Sequence, residues 1–338
     1  MPTEAELEER LSRPTPGSIR AMREFDGDLL ILGVSGKMGP SLAALARRSA
    51  EAAGRSKTRI LGVARFSTPG SREQLEAVGV ETIACELLDE QERRKLPDCP
   101  NVLMMLGYKF SKDALPGLHW AMNTYLPGLL AEQYRRSRIV CFSSGNVYPF
   151  TPLDAPQPTE QTPCAPVGEY AMTAFGRERM LQYASAKHGT PVCLLRLNYA
   201  VESRYGVLVD LAEQIVAGKP IDLATPYVNF IWQGYANSVA LEAFSLAKSP
   251  ADMLNLTGPR ERVRDLVMGL AQRLGVEPKF AGDEGPTALL NDASRCWKLF
   301  GEPELKRDEL LDMTAEWFRS GGRRLNKPTK FQVRDGQF

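Results

Sequence analysis

The chain reads as an α/β protein built on a doubly wound parallel sheet, and two observations predict this. After residue 27, short and continuously apolar runs alternate with longer helical patterns. Runs of that kind are strands buried on both faces, which requires a parallel sheet covered by helices. In addition, the first strand leads straight into Gly33-x-x-Gly36-x-x-Gly39, a glycine turn that opens a helix.

The elements follow in order. The stretch "MPTEAELEERLSRPTPGSIRAMREFDGD" is acidic and lacks the apolar core of a secretion signal; it predicts a short helix and a Pro-rich connector. "DLLILGV" is the first strand, and "MGPSLAALARRSAEAAG" a helix whose small residues permit close packing. "TRILGVARF" is a second strand, followed by the helix "SREQLEAVG". "VETIACELL", "NVLMMLGY", "RIVCFSSGNVY" and "PVCLLRLNYA" continue the strands, with helices around 117–134 and 168–187 between them.

Composition excludes several classes of function. Hydrophobic residues make up 43% and charged residues 25%, as in ordinary globular proteins. Basic and acidic residues number 42 and 41, so global charge gives no pull toward nucleic acid or an anionic membrane. No apolar run approaches the roughly 20 residues of a membrane span. The six cysteines form no CxxC pair and several fall in apolar strands, which predicts reduced thiols and a cytoplasmic location. Two histidines make a zinc site an unattractive reading.

The glycine turn carries the first chemistry. Glycines let the backbone approach a pyrophosphate, and the helix start offers unpaired N–H groups and about half a positive charge. Gly33, Ser35, Gly36, Lys37, Met38 and Gly39 are therefore candidate cofactor residues. The second strand ends without the carboxylate that would bond NAD ribose hydroxyls; it ends on Arg65. Arg65 and Lys37 suit a 2′-phosphate, so NADP is preferred to NAD.

From residue 28 to about 320 the chain resembles the extended short-chain dehydrogenase/reductases, specifically the NAD-dependent epimerase/dehydratase group. "GVSGKMG" resembles the family's glycine motif, and "ACELLD" its adenine-contacting segment, implying Glu86 and Leu87. Leu106 and Gly107, after the fourth strand, are expected along the cofactor. "FSSGNVY" resembles the end of the fifth strand, with Ser144 at the catalytic serine position. "PTEQTPCAPVGEY" leads into the catalytic tyrosine position, Tyr170. "LRLNYAVESRYG", "NFIWQGYANSVALEAF", "MLNLTGPRERVRDLVMGLAQRLG" and the stretch to "AEWF" resemble the sixth strand, substrate loop and the closing strand and helices of a small substrate domain. The aspartates of the family's "FIHVDDVA" segment are replaced by Gly234 and Tyr235. The resemblance implies a Rossmann-like domain over 28–198 and a smaller C-terminal α/β substrate domain, mostly 199–325, with some segments returning to the main sheet. Residues 1–27 are then an N-terminal extension and 326–338 a C-terminal tail.

In the family a lysine four residues after the tyrosine, on the same helix face, binds the nicotinamide ribose and lowers the tyrosine pKa. A free tyrosine titrates near 10, so a base working near pH 7 needs roughly 4 kcal/mol of help. Here that position is Ala174. Three readings follow: another cation, Lys109 in "LGYKF", substitutes; the enzyme works reductively, with Tyr170 donating a proton, or its substrate carries the acid and base groups; or the chain binds cofactor without turnover, as a sensor or scaffold. On the substrate side, Asn146, Tyr148, Asn198, Arg204 and Trp232 offer amide, aromatic and cationic groups to a polyhydroxylated ligand. For the aromatics, packing the domain interface is the open alternative. The expectation is an NAD(P)-dependent oxidoreductase or epimerase acting on a sugar, sugar acid or nucleotide sugar, with no metal and a homodimer as the family's common form. An impaired cofactor-binding regulator is the alternative, and a reductase of an apolar carbonyl compound a further one.

Overall fold

A computed structural model describes residues 3–108, 115 and 117–336. Seven strands form one parallel sheet: β1 (Leu29–Leu32), β2 (Ile60–Ala64), β3 (Glu81–Ala84), β4 (Asn101–Met104), β5 (Arg138–Ser144), β6 (Val192–Leu197) and β7 (Asp252–Leu256). Their order is β7-β6-β5-β4-β1-β2-β3, with the strand order reversing beside β1. Register pairs Leu29 with Ile60 on one side of β1 and with Asn101 on the other.

The inner strands β1, β2 and β4 are buried along their whole length because both faces are covered. Leu29 and Ile31 of β1 enter one core with Ile60, Leu103 and the helix α3 (Gly39–Ala52). Leu30 and Leu32 enter a second core with Leu61, Val63, Val102 and Met104. That second core takes Leu126 and Leu130 from α4 (Leu126–Gln133) and Leu181 from α5 (Glu169–His188). β3 is a sheet edge, and Glu81 and Ala84 at its two ends are exposed.

The predicted helix around 117–134 is uneven: a short turn at Leu118–Trp120, a π-helical stretch at Ala121–Tyr125, then α4. The N-terminal segment forms two helices where one was expected. Thr3 caps Glu4–Leu11 through a reciprocal capping box with Glu6. The expected connector is itself helical over Pro16–Glu24, because Thr15 caps Ser18 and Pro16 tolerates the first helical turn. Leu7, Leu11, Met22 and Phe25 lie in the first core. The strand Asp252–Leu256, which follows the first segments of the expected small domain, pairs with β6 in the main sheet.

Above the carboxyl ends of the strands lie short strand pairs. Ala200–Val201 runs parallel to Ile231–Trp232, and Tyr227–Asn229 antiparallel to Arg260–Arg262. Helices α6 (Val207–Val216), α7 (Gln233–Glu242), α8 (Val263–Leu274) and α9 (Arg307–Arg319) pack around them. All six cysteines are free thiols, five of them buried.

Candidate functional site

The glycine turn has the shape a pyrophosphate needs. Gly33 sits at φ +87°, and its N–H donates to Val63 O at 2.9 Å, so the chain turns sharply as it leaves β1. A Cβ on Gly39 would lie 1.9 Å from Val34 O, so only glycine lets α3 press on the strand. A Cβ on Gly36 would meet only Gly33 O, at 3.4 Å, and Ser35 and Gly36 are exposed. The open backbone of residues 35–36 fits a dinucleotide's phosphates at the start of α3. Met38 packs against the core beside the turn. Lys37 Nζ stands 3.3 Å over the Tyr205 ring, joining the turn to the segment that follows β6.

At the end of β2, Arg65 has 65% of its side chain exposed and stands 3.5 Å from Glu86. A carboxylate therefore reaches this edge from the end of β3, although β2 supplies none. The Leu87 and Leu106 side chains are in the second core, and Gly107 is exposed.

Ser144 closes β5. Its hydroxyl donates to Asn146 Oδ1 at 3.0 Å and accepts from the Asn146 N–H at 3.2 Å. Tyr170 lies in the first turn of α5 and is buried. Tyr170 and Asp210 both act on the hydroxyls of Tyr199 and Tyr205, which burial first of all pushes up from their ordinary value. Tyr170, Tyr199, Tyr205 and Asp210 are thus within electrostatic reach of one another. Tyr199 holds φ +36°, a conformation that costs a bulky residue on the order of 1–3 kcal/mol and is kept where the surroundings enforce it. Burial also raises the Asp210 carboxyl, opposed by hydrogen bonds from Thr329 and by Lys37.

Ala174 is fully buried against Val147 and Tyr148, with Phe175 and Cys164 around them. The place of a charged side chain is taken by packing. Lys109, the candidate substitute, lies outside the described residues.

Three of the expected substrate residues are committed elsewhere. Tyr148 is 1% exposed; its hydroxyl donates to Asn255 Oδ1 at 2.8 Å and accepts from Arg196 at 2.7 Å, and burial pushes its pKa up to about 12. Arg196 in turn pairs with Glu178 of α5 at 2.7 Å, and Ser143 donates to the same carboxylate. Arg204 is not available to a ligand anion: it is bonded to Glu202 at 3.0 Å and to Glu8 of the first helix at 2.6 Å. Trp232 is 2% exposed and packs into the first core, where a Cβ on Gly234 would strike its indole nitrogen. Asn198 is also buried, but differently. Its Nδ2 donates to Asn291 at 3.0 Å, while Oδ1 finds no donor among the described residues and closes over Gly145. Asn146 keeps partial exposure at the end of β5.

Sequence reasoning missed Asn123 and Arg177. Asn123, in the π-helical stretch, accepts from Tyr108 N at 2.7 Å and donates to Tyr108 O and to Thr173 Oγ1 at 3.0 Å. It ties the loop after β4 to α5, three residues beyond Tyr170. Arg177 donates to Phe142 O at 2.7 Å and to Asn123 O at 3.2 Å, and its guanidinium lies under Gly107. The spacing of three from Ala174 signalled that Arg177 shares its helix face; nothing local marked Asn123.

Comparisons with known proteins agree with this architecture. The sequence model of the NAD dependent epimerase/dehydratase family matches residues 29–226. Comparison with curated protein sequences finds no match. Among solved structures, the chain is similar to a UDP-glucuronic acid 4-epimerase from Bacillus cereus, a tyrosine-to-phenylalanine mutant in complex with UDP-4-deoxy-4-fluoro-glucuronic acid and NAD. The TM-score is 0.72 at 16% identity, over 87% of this chain and 99% of that one. A dTDP-glucose 4,6-dehydratase from Bacillus anthracis, in complex with NAD, gives 0.69 at 15% identity, over 87% and 97%. A Thermus thermophilus UDP-glucose 4-epimerase with NAD gives 0.68 at 20% identity, over 86% and 99%.

Proposed function

Because this chain belongs to the NAD-dependent epimerase/dehydratase family, we propose that it is an NAD-dependent oxidoreductase or epimerase acting on a hydroxyl or carbonyl of a sugar, sugar acid or nucleotide sugar. One arrangement carries the reading: the glycine turn after β1, Ser144 at the end of β5 and Tyr170 at the start of α5 share one edge of a doubly wound sheet. A bound nicotinamide would supply a hydride acceptor or donor there. Ser144 holds the reacting oxygen by turning its hydroxyl from Asn146, and Tyr170 gives or takes the proton on it. Ala174 brings no charge to that tyrosine, and Arg177 spends its guanidinium on main-chain and amide oxygens. This favours the reductive direction, in which Tyr170 needs only to donate.

NAD replaces NADP as the cofactor of choice. Glu86 beside Arg65 puts a carboxylate where it can bond ribose hydroxyls and repel a 2′-phosphate. Relatives solved with NAD support the same choice. Titration followed by cofactor fluorescence should give saturable binding of NADH, tighter than NADPH. No binding of either overturns the proposal, and tighter NADPH binding overturns the cofactor assignment.

The buried alanine at 174 supports a second reading, a cofactor-binding regulator without turnover. A screen of sugars, sugar acids and nucleotide sugars with wild type and Tyr170→Phe separates the two. Turnover that depends on Tyr170 supports the enzyme; NADH binding with no turnover on any of them supports the regulator.

A further inference from the structure

The expected C-terminal tail folds back over the site. Thr329 anchors it, with its N–H donating to Asp210 Oδ2 at 2.7 Å and its hydroxyl to the same atom. Phe331 is buried in the first core, edge-on to the Tyr199 ring at 6.4 Å. Between them Lys330 takes φ +56°, a corner few side chains adopt, and Val333 N bonds back to Lys330 O at 3.0 Å. Beyond the corner, the Arg334 guanidinium donates to Ala224 O at 3.0 Å and to Thr287 O at 2.7 Å, and stacks 4.7 Å over Phe150. The segment ends against α5: a Cβ on Gly336 would lie 2.5 Å from the Cα of Gly168, the residue that caps the helix carrying Tyr170.

What this leaves open is small. Between Asn146 and Tyr199 on one side and Phe331, Val333, Arg334 and Gly336 on the other is a cavity of about 20 Å³. That holds about one water, whereas small-molecule pockets run to roughly 300–1,000 Å³. The anchor at Thr329 and Phe331 is buried, while the covering part is half-exposed, with hydrogen bonds, the Arg334–Phe150 stack and a glycine–glycine contact among the contacts that hold it.

We propose that residues 332–336 form a lid, hinged at Lys330, which fills the substrate cleft beside Tyr170 and must lift from Gly168 before substrate enters. Lid and substrate compete for one place; this rests on the reading above that the cleft is where substrate binds. Gly336 is the latch, because only a residue without Cβ at φ +73° can lie on Gly168.

The test needs no known substrate. The thiol introduced by Asn146→Cys is labelled with N-ethylmaleimide in the NADH-loaded full chain, its rate read by peptide mass spectrometry. It is compared in backgrounds carrying the native segment, Gly336→Val or Arg334→Ala. Labelling should quicken at least tenfold in both lid variants, with NADH binding retained as the check on folding. Equal rates with and without the lid substitutions overturn the proposal. With native Asn146 and whichever substrate the screen finds, the Michaelis constant should fall in both variants. A rise would overturn competition, since the segment would then be part of the bound site. Failure of the native chain to bind NADH counts against the proposed function; the labelling rates, then taken in the unloaded full chain with an unchanged Tm as the check on folding, still decide the lid.

Discussion

Gly36 and Gly39 show how two residues of one motif do different work. A methyl at 39 collides with Val34 O, so Gly39→Ala should lose on the order of 1–3 kcal/mol through overpacking, read as a lower Tm. A methyl at 36 meets little protein but projects where phosphates would lie. Gly36→Ala should keep its Tm and bind NADH roughly tenfold more weakly, about 1.4 kcal/mol. Tyr170→Phe should lower kcat by roughly 10²–10⁴-fold, the usual share of a general acid, and leave NADH affinity unchanged. Ala174→Lys should not restore the family's chemistry. The side chain would enter the packed space between Val147 and Tyr148, and the cost of burying an ammonium there should appear as a lower Tm.

At the scale of elements, α5 is held to the sheet by a buried polar chain from Ser143 and Glu178 through Arg196 and Tyr148 to Asn255. Glu178→Gln leaves Arg196 buried without its countercharge and should cost about 3–5 kcal/mol in denaturant unfolding. This chain also explains what the sequence could and could not tell. The sheet was legible because the inner strands' apolar runs reflect burial on both faces, a local property of a few residues. The glycine turn was legible because it is contiguous. Tyr148, Arg204 and Trp232 misled because much of what commits them comes from far along the chain: Asn255 for Tyr148, Glu8 beside the neighbouring Glu202 for Arg204, and a many-part core for Trp232. Local pattern says that such a residue wants a partner, not which one. The helix at Pro16–Glu24 was hidden by Pro14 before it and Pro16 at its start, although Pro16 sits where a helix accepts one.

Across the whole molecule, the N-terminal helices are fastened by charges with a definite pH response. The Arg13 hydrogen bond, with Arg48 behind it, holds the Glu9 carboxyl at about 2, below its ordinary 4.5. Arg323 likewise lowers Glu4. A lowered folded pKa contributes stability that is full above about 4.5 and is lost as pH falls toward 2. These exposed pairs are individually weak. Amide exchange in Glu4–Leu11, corrected for intrinsic rate, should therefore speed up between pH 6 and pH 3, while β1 and β4 keep their protection. Glu202 and Glu242, raised by burial, act in the opposite sense: their contribution is present at low pH and lost as pH rises through their elevated values.

The bond from Arg323 to Glu4 spans 319 positions, and that from Arg204 to Glu8 spans 196. Glu4–Leu11 is made long before these partners and waits for them. An eight-residue helix is marginal on its own in water, so beyond Arg48 on α3 Glu4–Leu11 has little to hold it until Arg204, Asn237 and Arg323 have been synthesised. Contacts of such long range are closed late and slowly. In refolding followed by pulsed hydrogen exchange, the amides of Leu7 to Leu11 should become protected after those of β1 and β4. Glu4–Leu11, made before β1, thus takes its place after it.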